Sequence, residues 1–384
     1  MMGPPKAAAK AAVACHLCGA VVSAHSAACR GCKLVYCGSA CLRESRDGGH
    51  RDVCDAIAAA DAAATAAAAD VEARCFVEGG GCHVCGEATD APVVRCCACD
   101  RGTAHVACLV AAARAATDGA GSAEGWVACV GCRRPFSGPL RLALGRACWR
   151  AYARRPETDP ASAAALQVLA NAVAEPGPGF ATKELAGEAL PLRRAALAFA
   201  ERHFRTPEAC VLDAATGLAA ALTAAGDFAA AVALRRRVLE RRRAALGDDA
   251  PEALFATLCL STALADSGLR AEERALLSDA VPAATRALGA THATTIALSY
   301  GLAVNLYVGD GDERAPTLSE LRESADLLAG AAAAAEASPD YGRHHASTRV
   351  VRAALEATRD ELDNRERRRE GSDAPRQELV GLPK

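Results

Sequence analysis

The residues of this 384-residue chain best equipped for chemistry are its cysteines and a few histidines. Sixteen of the nineteen cysteines fall at or before Cys132. They recur as close pairs: Cys15-x2-Cys18, Cys29-x2-Cys32, Cys82-x2-Cys85 and Cys129-x2-Cys132. Cys37-x3-Cys41, His50-x3-Cys54 and His105-x2-Cys108 follow the same rule. Such a pair can turn both of its ligand atoms toward one ion, and two pairs complete the tetrahedron of thiolate and imidazole that zinc prefers.

Two clusters emerge. The first holds Cys15, Cys18, Cys29, Cys32, Cys37, Cys41, His50 and Cys54, eight ligands for two ions. The second has a C4HC3 order: Cys82, Cys85, either Cys96 or Cys97, Cys99, His105, Cys108, Cys129 and Cys132. Joining its first and third pairs gives Cys82, Cys85, His105 and Cys108 on one ion. The other ion takes Cys99, Cys129, Cys132 and one of Cys96 and Cys97. The expectation is therefore about four zinc ions, two per module. With every position filled by protein, such zinc holds a fold and does no catalysis. Disulfides are the competing use of so many cysteines. The start of the chain, MMGPPKAAAK, has no apolar core of a secretory signal, so a reducing, intracellular location and metal binding are expected. Nucleus and cytoplasm are not distinguished.

The order C-C-C-C-C-C-H-C over 15–54, with Tyr36-Cys37 at its centre, resembles a MYND-type zinc finger. The resemblance implies interleaved sites, with Cys15, Cys18, Cys37 and Cys41 on one zinc and Cys29, Cys32, His50 and Cys54 on the other. It also implies a protein or peptide partner. Leu42 follows the sixth cysteine where the family keeps Gln, and Glu44–Gly49 lacks the family's aromatic residue. In the second cluster, Cys96-x2-Cys99 and the five-residue gap to His105 resemble a PHD finger. Cys97-Ala98-Cys99, Val84 and the ending Cys132-Arg133-Arg134-Pro135-Phe136 resemble the RING-CH variant, the reading preferred here, which makes Cys97 the ligand. That resemblance implies a ubiquitin ligase docking a ubiquitin-conjugating enzyme. No Phe, Tyr or Trp lies between Cys82 and Gly125 to build a methyl-lysine cage.

These clusters need elements to hold them. Residues 55–81 are alanine-rich and read as a short helix or spacer, broken at Gly79-Gly80-Gly81. From Leu140 onward apolar residues recur at helical spacing. A period of 42 residues then appears: Leu212, Leu254 and Ile296 correspond, as do Leu218, Leu260 and Leu302, and Leu222, Leu264 and Leu306. Leu246-Gly247 recurs as Leu288-Gly289, while Gly226 and Gly268 occupy matching turn positions. Units 204–245, 246–287 and 288–329 resemble the tetratricopeptide repeats of kinesin light chains, and 157–203 reads as an eroded first unit. The expected fold is mainly α, with two small zinc-stabilised modules followed by a TPR-like solenoid whose concave face binds proteins or peptides. The expected division is a leader (1–14), the MYND-type finger (15–54), a spacer (55–81), the C4HC3 module (82–136), repeats (140–360) and a charged tail (361–384).

Composition narrows the function. A net charge of −2 and 4% aromatic residues argue against nucleic acid, and no apolar run is long enough to span a membrane. Arg235, Arg236, Arg237, Arg241, Arg242 and Arg243 read as a solvated helix face. No GxxxxGK[ST], GxGxxG or GxSxG motif is present. The expectation is a non-catalytic zinc-binding adaptor; the alternative is a ligase whose repeats hold its substrate.

Overall fold

The computed structural model describes residues 13–22, 26–78, 81–86, 92–97, 102–175, 183–203, 208–309 and 314–373. Among the described residues there are fourteen α-helices and four two-residue strands, so the chain is mainly α. It divides into two compact units between Ala221 and Leu222.

The first unit opens on a small hairpin, β1 (Ala27–Ala28) with β2 (Val35–Tyr36), antiparallel with Ala27 opposite Tyr36. Helices α1 (Ser39–Ser45), α2 (Arg51–Ala58) and α3 (Ala60–Cys75) follow. A second hairpin pairs β3 (Val94–Arg95) with β4 (Thr103–Ala104) and leads into α4 (Val106–Ala120). Then come α5 (Gly138–Tyr152), α6 (Pro160–Ala174) and α7 (Lys183–His203). Asp159 caps α6 by accepting the Ala161 N–H at 2.9 Å, with Pro160 in the first turn where its missing N–H costs nothing.

The cysteine-rich segments share cores with these helices. Leu17, Leu34, Tyr36, Val53 and Ile57 are buried in one cluster with Trp149, Tyr152, Leu166, Leu169, Leu192 and Phe199. Val71 of α3 joins Val93, Val94, Phe136, Leu140 and Leu144 in another. The expected spacer is thus largely a packing helix. Alanine permits this: a methyl face lets backbones approach where large side chains would hold them apart. At Gly145 even a methyl is too much, since a Cβ there would sit 2.7 Å from Cβ of Ala172 where α5 crosses α6.

Helix α8 (Glu208–Ala224) spans the division. The second unit continues as helical hairpins, α9 (Phe228–Leu246) to α10 (Pro251–Asp266), α11 (Arg270–Leu288), α12 (Ala293–Val308), α13 (Leu318–Ala337) and α14 (Ala346–Asp373). The repeating glycines sit where the period requires them. Gly226 and Gly268 turn the chain at φ of 81° and 74°, and Gly247 and Gly289 end helices at 91° and 87°. Leu254, Leu277, Leu298, Leu302 and Leu306 bury one seam, and Ile296, Ala303, Leu328 and Val351 the next. Each hairpin thereby covers its neighbour's apolar face, the logic of stacked repeats.

The period slips once. Helix α13 starts at Leu318, not 42 residues after Arg270, because Pro316 and a capping box fix the start. The Glu320 N–H donates to Thr317 Oγ1 at 3.2 Å, and the Thr317 N–H donates to Glu320 Oε2 at 2.7 Å. Arg314 beside it, with this N–H, holds the Glu320 carboxyl down to about 2. Because the folded-state value is depressed, its stabilisation is complete above the ordinary glutamate pKa and is lost as pH falls toward 2. Glu320→Gln is expected to cost about 1 kcal/mol at pH 7. In thermal unfolding followed by circular dichroism, the gap between the two proteins should close as pH falls from about 5 to 2. Helix α14 runs to Asp373, well into the expected tail. Residues 1–12 of the expected leader and 374–384 lie outside the described residues.

Candidate metal centres

Four turns of the same construction present the paired cysteines. In each, the residue after the second cysteine adopts the left-handed conformation: Gly19 (φ 73°), Lys33 (63°), Gly86 (75°) and Arg133 (58°). Its N–H donates to the carbonyl of the first cysteine, at 2.9, 3.0, 2.8 and 2.8 Å for Cys15, Cys29, Cys82 and Cys129. That ring of backbone leaves amide N–H groups aimed at the first sulfur. Burial works against ionising Cys15, yet the N–H groups of Cys18 and Cys37 outweigh it and hold the thiol down to about 7. Cys82 behaves alike, with burial opposed by the N–H groups of Cys85, His105 and Val84, and falls to about 6. Cys129 falls to about 7, its burial opposed by Cys132 and Gly131. Lys33 and Arg133 show that the turn outweighs the side-chain penalty of positive φ.

Ligand atoms gather in four groups, each within 4.8 Å: Cys15, Cys18, Cys37 and Cys41; Cys29, Cys32, His50 and Cys54; Cys82, Cys85, His105 and Cys108; and Cys97, Cys129 and Cys132. The two groups of the first cluster are interleaved along the chain. The first takes Cys15 and Cys18 from a knuckle, Cys37 from the end of β2 and Cys41 from α1. The second takes a knuckle after β1, His50 from the turn at Arg46–His50, and Cys54 from α2. In the third, His105 precedes α4 and Cys108 lies within it. Cys99 lies outside the described residues. Cys96 is buried with Val93, Val94 and Phe136, and does not stand in the group that holds Cys97.

The donor set fits zinc. A tetrahedron with metal–sulfur bonds of about 2.3 Å places its sulfurs about 3.8 Å apart, whereas a disulfide would bring them to about 2.05 Å. Cys18 and Cys37 are 3.8 Å apart, Cys29 and Cys54 3.6 Å, Cys97 and Cys129 3.5 Å, and Cys37 and Cys41 3.4 Å. All these cysteines are free thiols. His50 directs Nε2 to Cys29 and Cys32 at 3.3 and 3.5 Å, while His105 directs Nδ1 to Cys85 and Cys108 at 3.6 Å each. Burial, with His16 alongside, keeps His50 below its ordinary pKa and hence neutral, the form that binds metal. Some of the other thiols are pushed the opposite way. The Cys37 thiol and then burial push Cys41 up to about 12, and burial followed by Cys82 and Cys85 does the same to Cys108. In each group the knuckle thus lowers its first thiol, at Cys15, Cys29, Cys82 and Cys129.

Two features escaped sequence reasoning. His16 is buried at 2% exposure, its Nδ1 3.6 Å from the carboxylate of Glu157, which is itself fully buried. Arg133 pairs its guanidinium with Glu124.

Outside these centres, a tetratricopeptide repeat family model matches residues 211–252, a stretch containing all of α9. Residues 211–252 thus carry a tetratricopeptide repeat. Among solved structures, it is similar to a Podosopora anserina protein described as a kinesin light chain with nearly identical TPR-like repeats. Identity is 21%, with 60% of this chain and 95% of that one covered and a TM-score of 0.42. BtubC (BKLC) from P. vanneervenii is similar at 14% identity over 58% and 87% of the two chains, with a TM-score of 0.38. No curated protein matches the chain. Among the described residues, no helix is long and apolar enough to cross a membrane.

Proposed function

We propose that the chain is a zinc-dependent adaptor: two closed zinc modules, MYND-like over 15–54 and C4HC3 over 82–136, joined to repeats that hold a protein partner. The four identical cysteine turns, each supplying one half of a tetrahedral donor set, carry this reading. Cys99 completes the fourth site with Cys97, Cys129 and Cys132. Four protein ligands at each ion leave no position for a reacting water, so the metal serves the fold and the surfaces it supports. Tetratricopeptide repeats mediate protein–protein contacts, which makes a peptide or helix the natural occupant of the repeat surface.

Elemental analysis of the purified protein tests the metal reading. About four zinc ions per chain are expected, and about two would remove one module from it. Cys97→Ser is expected to lose one ion and Cys96→Ser none; the reverse outcome would exchange their roles.

A second reading, a RING-CH-like ubiquitin ligase, draws on one observation. Val84 and Val130, at the tips of the two second-module knuckles, are 40% and 78% exposed, apolar side chains that a conjugating enzyme could cover. Autoubiquitination with a panel of conjugating enzymes separates the readings. Activity abolished by Cys82→Ala and weakened by Val84→Glu would replace the adaptor with the ligase.

A further inference from the structure

Glu157 lies in the turn between α5 and α6, about a hundred residues from the cysteines it adjoins, and none of its side chain is exposed. A buried carboxylate is costly unless its oxygens are met by donors or positive charge. Here Oε1 accepts the Ser45 hydroxyl at 2.9 Å and faces His16 Nδ1 at 3.6 Å, and Oε2 faces Arg202 Nη1 at 3.3 Å. The Glu157 N–H donates to the His16 carbonyl at 2.5 Å, which fixes the turn against the first knuckle.

The contacts run onward to a metal ligand. Ser45 Oγ is 3.2 Å from the Tyr36 hydroxyl, and that hydroxyl is 3.5 Å from His50 Nδ1, the nitrogen facing away from the cysteines. Arg202, from α7, also donates to the carbonyl of Gly48. Gly49 holds φ at 106°, and a Cβ there would come within 3.3 Å of the Ala195 backbone, so the turn bearing His50 lies flat on α7. Glu157 and Arg202 thus grip this turn from the helices, and Tyr36 and Ser45 carry the contact to the ring.

A metal-bound imidazole depends on what holds its second nitrogen, and disturbing that partner usually weakens the metal site. We propose that Glu157, acting through Ser45 and Tyr36, is a positioning residue for the ion held by Cys29, Cys32, His50 and Cys54. The affinity of that site is then set by the helical layer, and binding there in turn stabilises the α5–α6 turn. The inference rests on the zinc reading of these four residues.

Selectivity is what a purely structural role would not produce. Glu157 meets the Cys15 knuckle through its own backbone N–H, which Glu157→Gln keeps, and beside the His16 ring. Among the described residues no side-chain relay from it reaches the sulfurs of Cys15, Cys18, Cys37 and Cys41, so general loosening would weaken both sites alike. The test uses the full-length protein loaded with cadmium-113, in which each site gives its own resonance. The His50 site is assigned by the signal that His50→Ala removes. In a chelator titration, Glu157→Gln is expected to weaken that site about 10- to 100-fold, while the Cys15 site changes less than about threefold. Tyr36→Phe keeps the buried ring and deletes only the relaying hydroxyl, so it decides the matter if Glu157→Gln fails to fold. Equal weakening of both sites, or no change in either variant, would overturn the proposal. Native protein that contains no metal is a different result, and it sinks the zinc reading itself.

Discussion

Stripping the metal from the purified protein is expected to unfold the cysteine-rich part of the first unit and leave the second unit folded. Structural zinc contributes about 10–16 kcal/mol of apparent binding energy per site, comparable to the whole stability of an ordinary domain. Without it, each group would keep its ligand atoms crowded to within 4.8 Å with only the knuckle N–H groups, beside the first sulfur, to offset their burial. None of the four groups lies in the second unit, the last of their residues being Cys132. Tryptophan fluorescence reads the change directly. The chain has two tryptophans, Trp126 and Trp149, exposed by only 1% and 2% and both in the core shared with the first cluster. The Trp149 indole N–H donates to the Ala56 carbonyl at 3.1 Å, two residues past the ligand Cys54. EDTA should therefore shift emission to the red, while hydrogen exchange of α10 to α13 stays as it was. Unchanged emission after verified metal loss would show that the core stands without zinc.

The second large effect is expected at Asn305 in α12, which is fully buried. Its amide donates to the Arg270 carbonyl at 3.0 Å and to Glu273 Oε2 at 2.7 Å, and its oxygen accepts from Arg274 Nε at 2.8 Å. Glu273 is 4% exposed and also receives Arg270 at 3.0 Å, while Arg274 continues to Glu320 at 3.0 Å. One amide thus satisfies charged groups of α11 and a backbone carbonyl in the seam between hairpins. Asn305→Ala would leave a buried carboxylate and a guanidinium short of partners, at a cost of about 2–4 kcal/mol. Stacked repeats depend on their neighbours, so the loss should spread to α13. Hydrogen exchange should show lower protection across α11 to α13 than in the unaltered protein. An effect confined to α12, or below about 0.5 kcal/mol, would mean that water fills the gap without strain.

The grouping of the cysteines and histidines was legible because gathering side chains around one point imposes a local rule. Two sulfurs on one ion need a short turn, and the spacing records it. The 42-residue period was readable for a similar reason, since each hairpin meets the same packing problem, and Gly226, Gly247, Gly268 and Gly289 mark its corners. The slip before α13 was not readable, because it depends on Pro316 and Thr317 overriding the period locally. Glu157 and Arg202 left no pattern at all. Their meaning lies in contacts across more than a hundred residues, and a lone Glu before an Asp-Pro turn looks like any surface residue. Helix α3 was underrated because alanine gives no sign of which of its methyls are buried. The choice between Cys96 and Cys97 turns on which side of an extended segment faces the core, a distinction adjacent residues cannot reveal by themselves.

The core shared by the first cysteine cluster and helices α5 to α7 limits how this finger can be moved. Leu17, Tyr36, Val53 and Ile57 have their cover on the other side of some hundred residues, as does the pairing of Ser45 and His16 with Glu157. A fragment ending at Ala58 would carry all eight ligands of the first cluster yet present a bare apolar face. It would behave as a torn edge that aggregates, and it could not be grafted into another protein as a cassette.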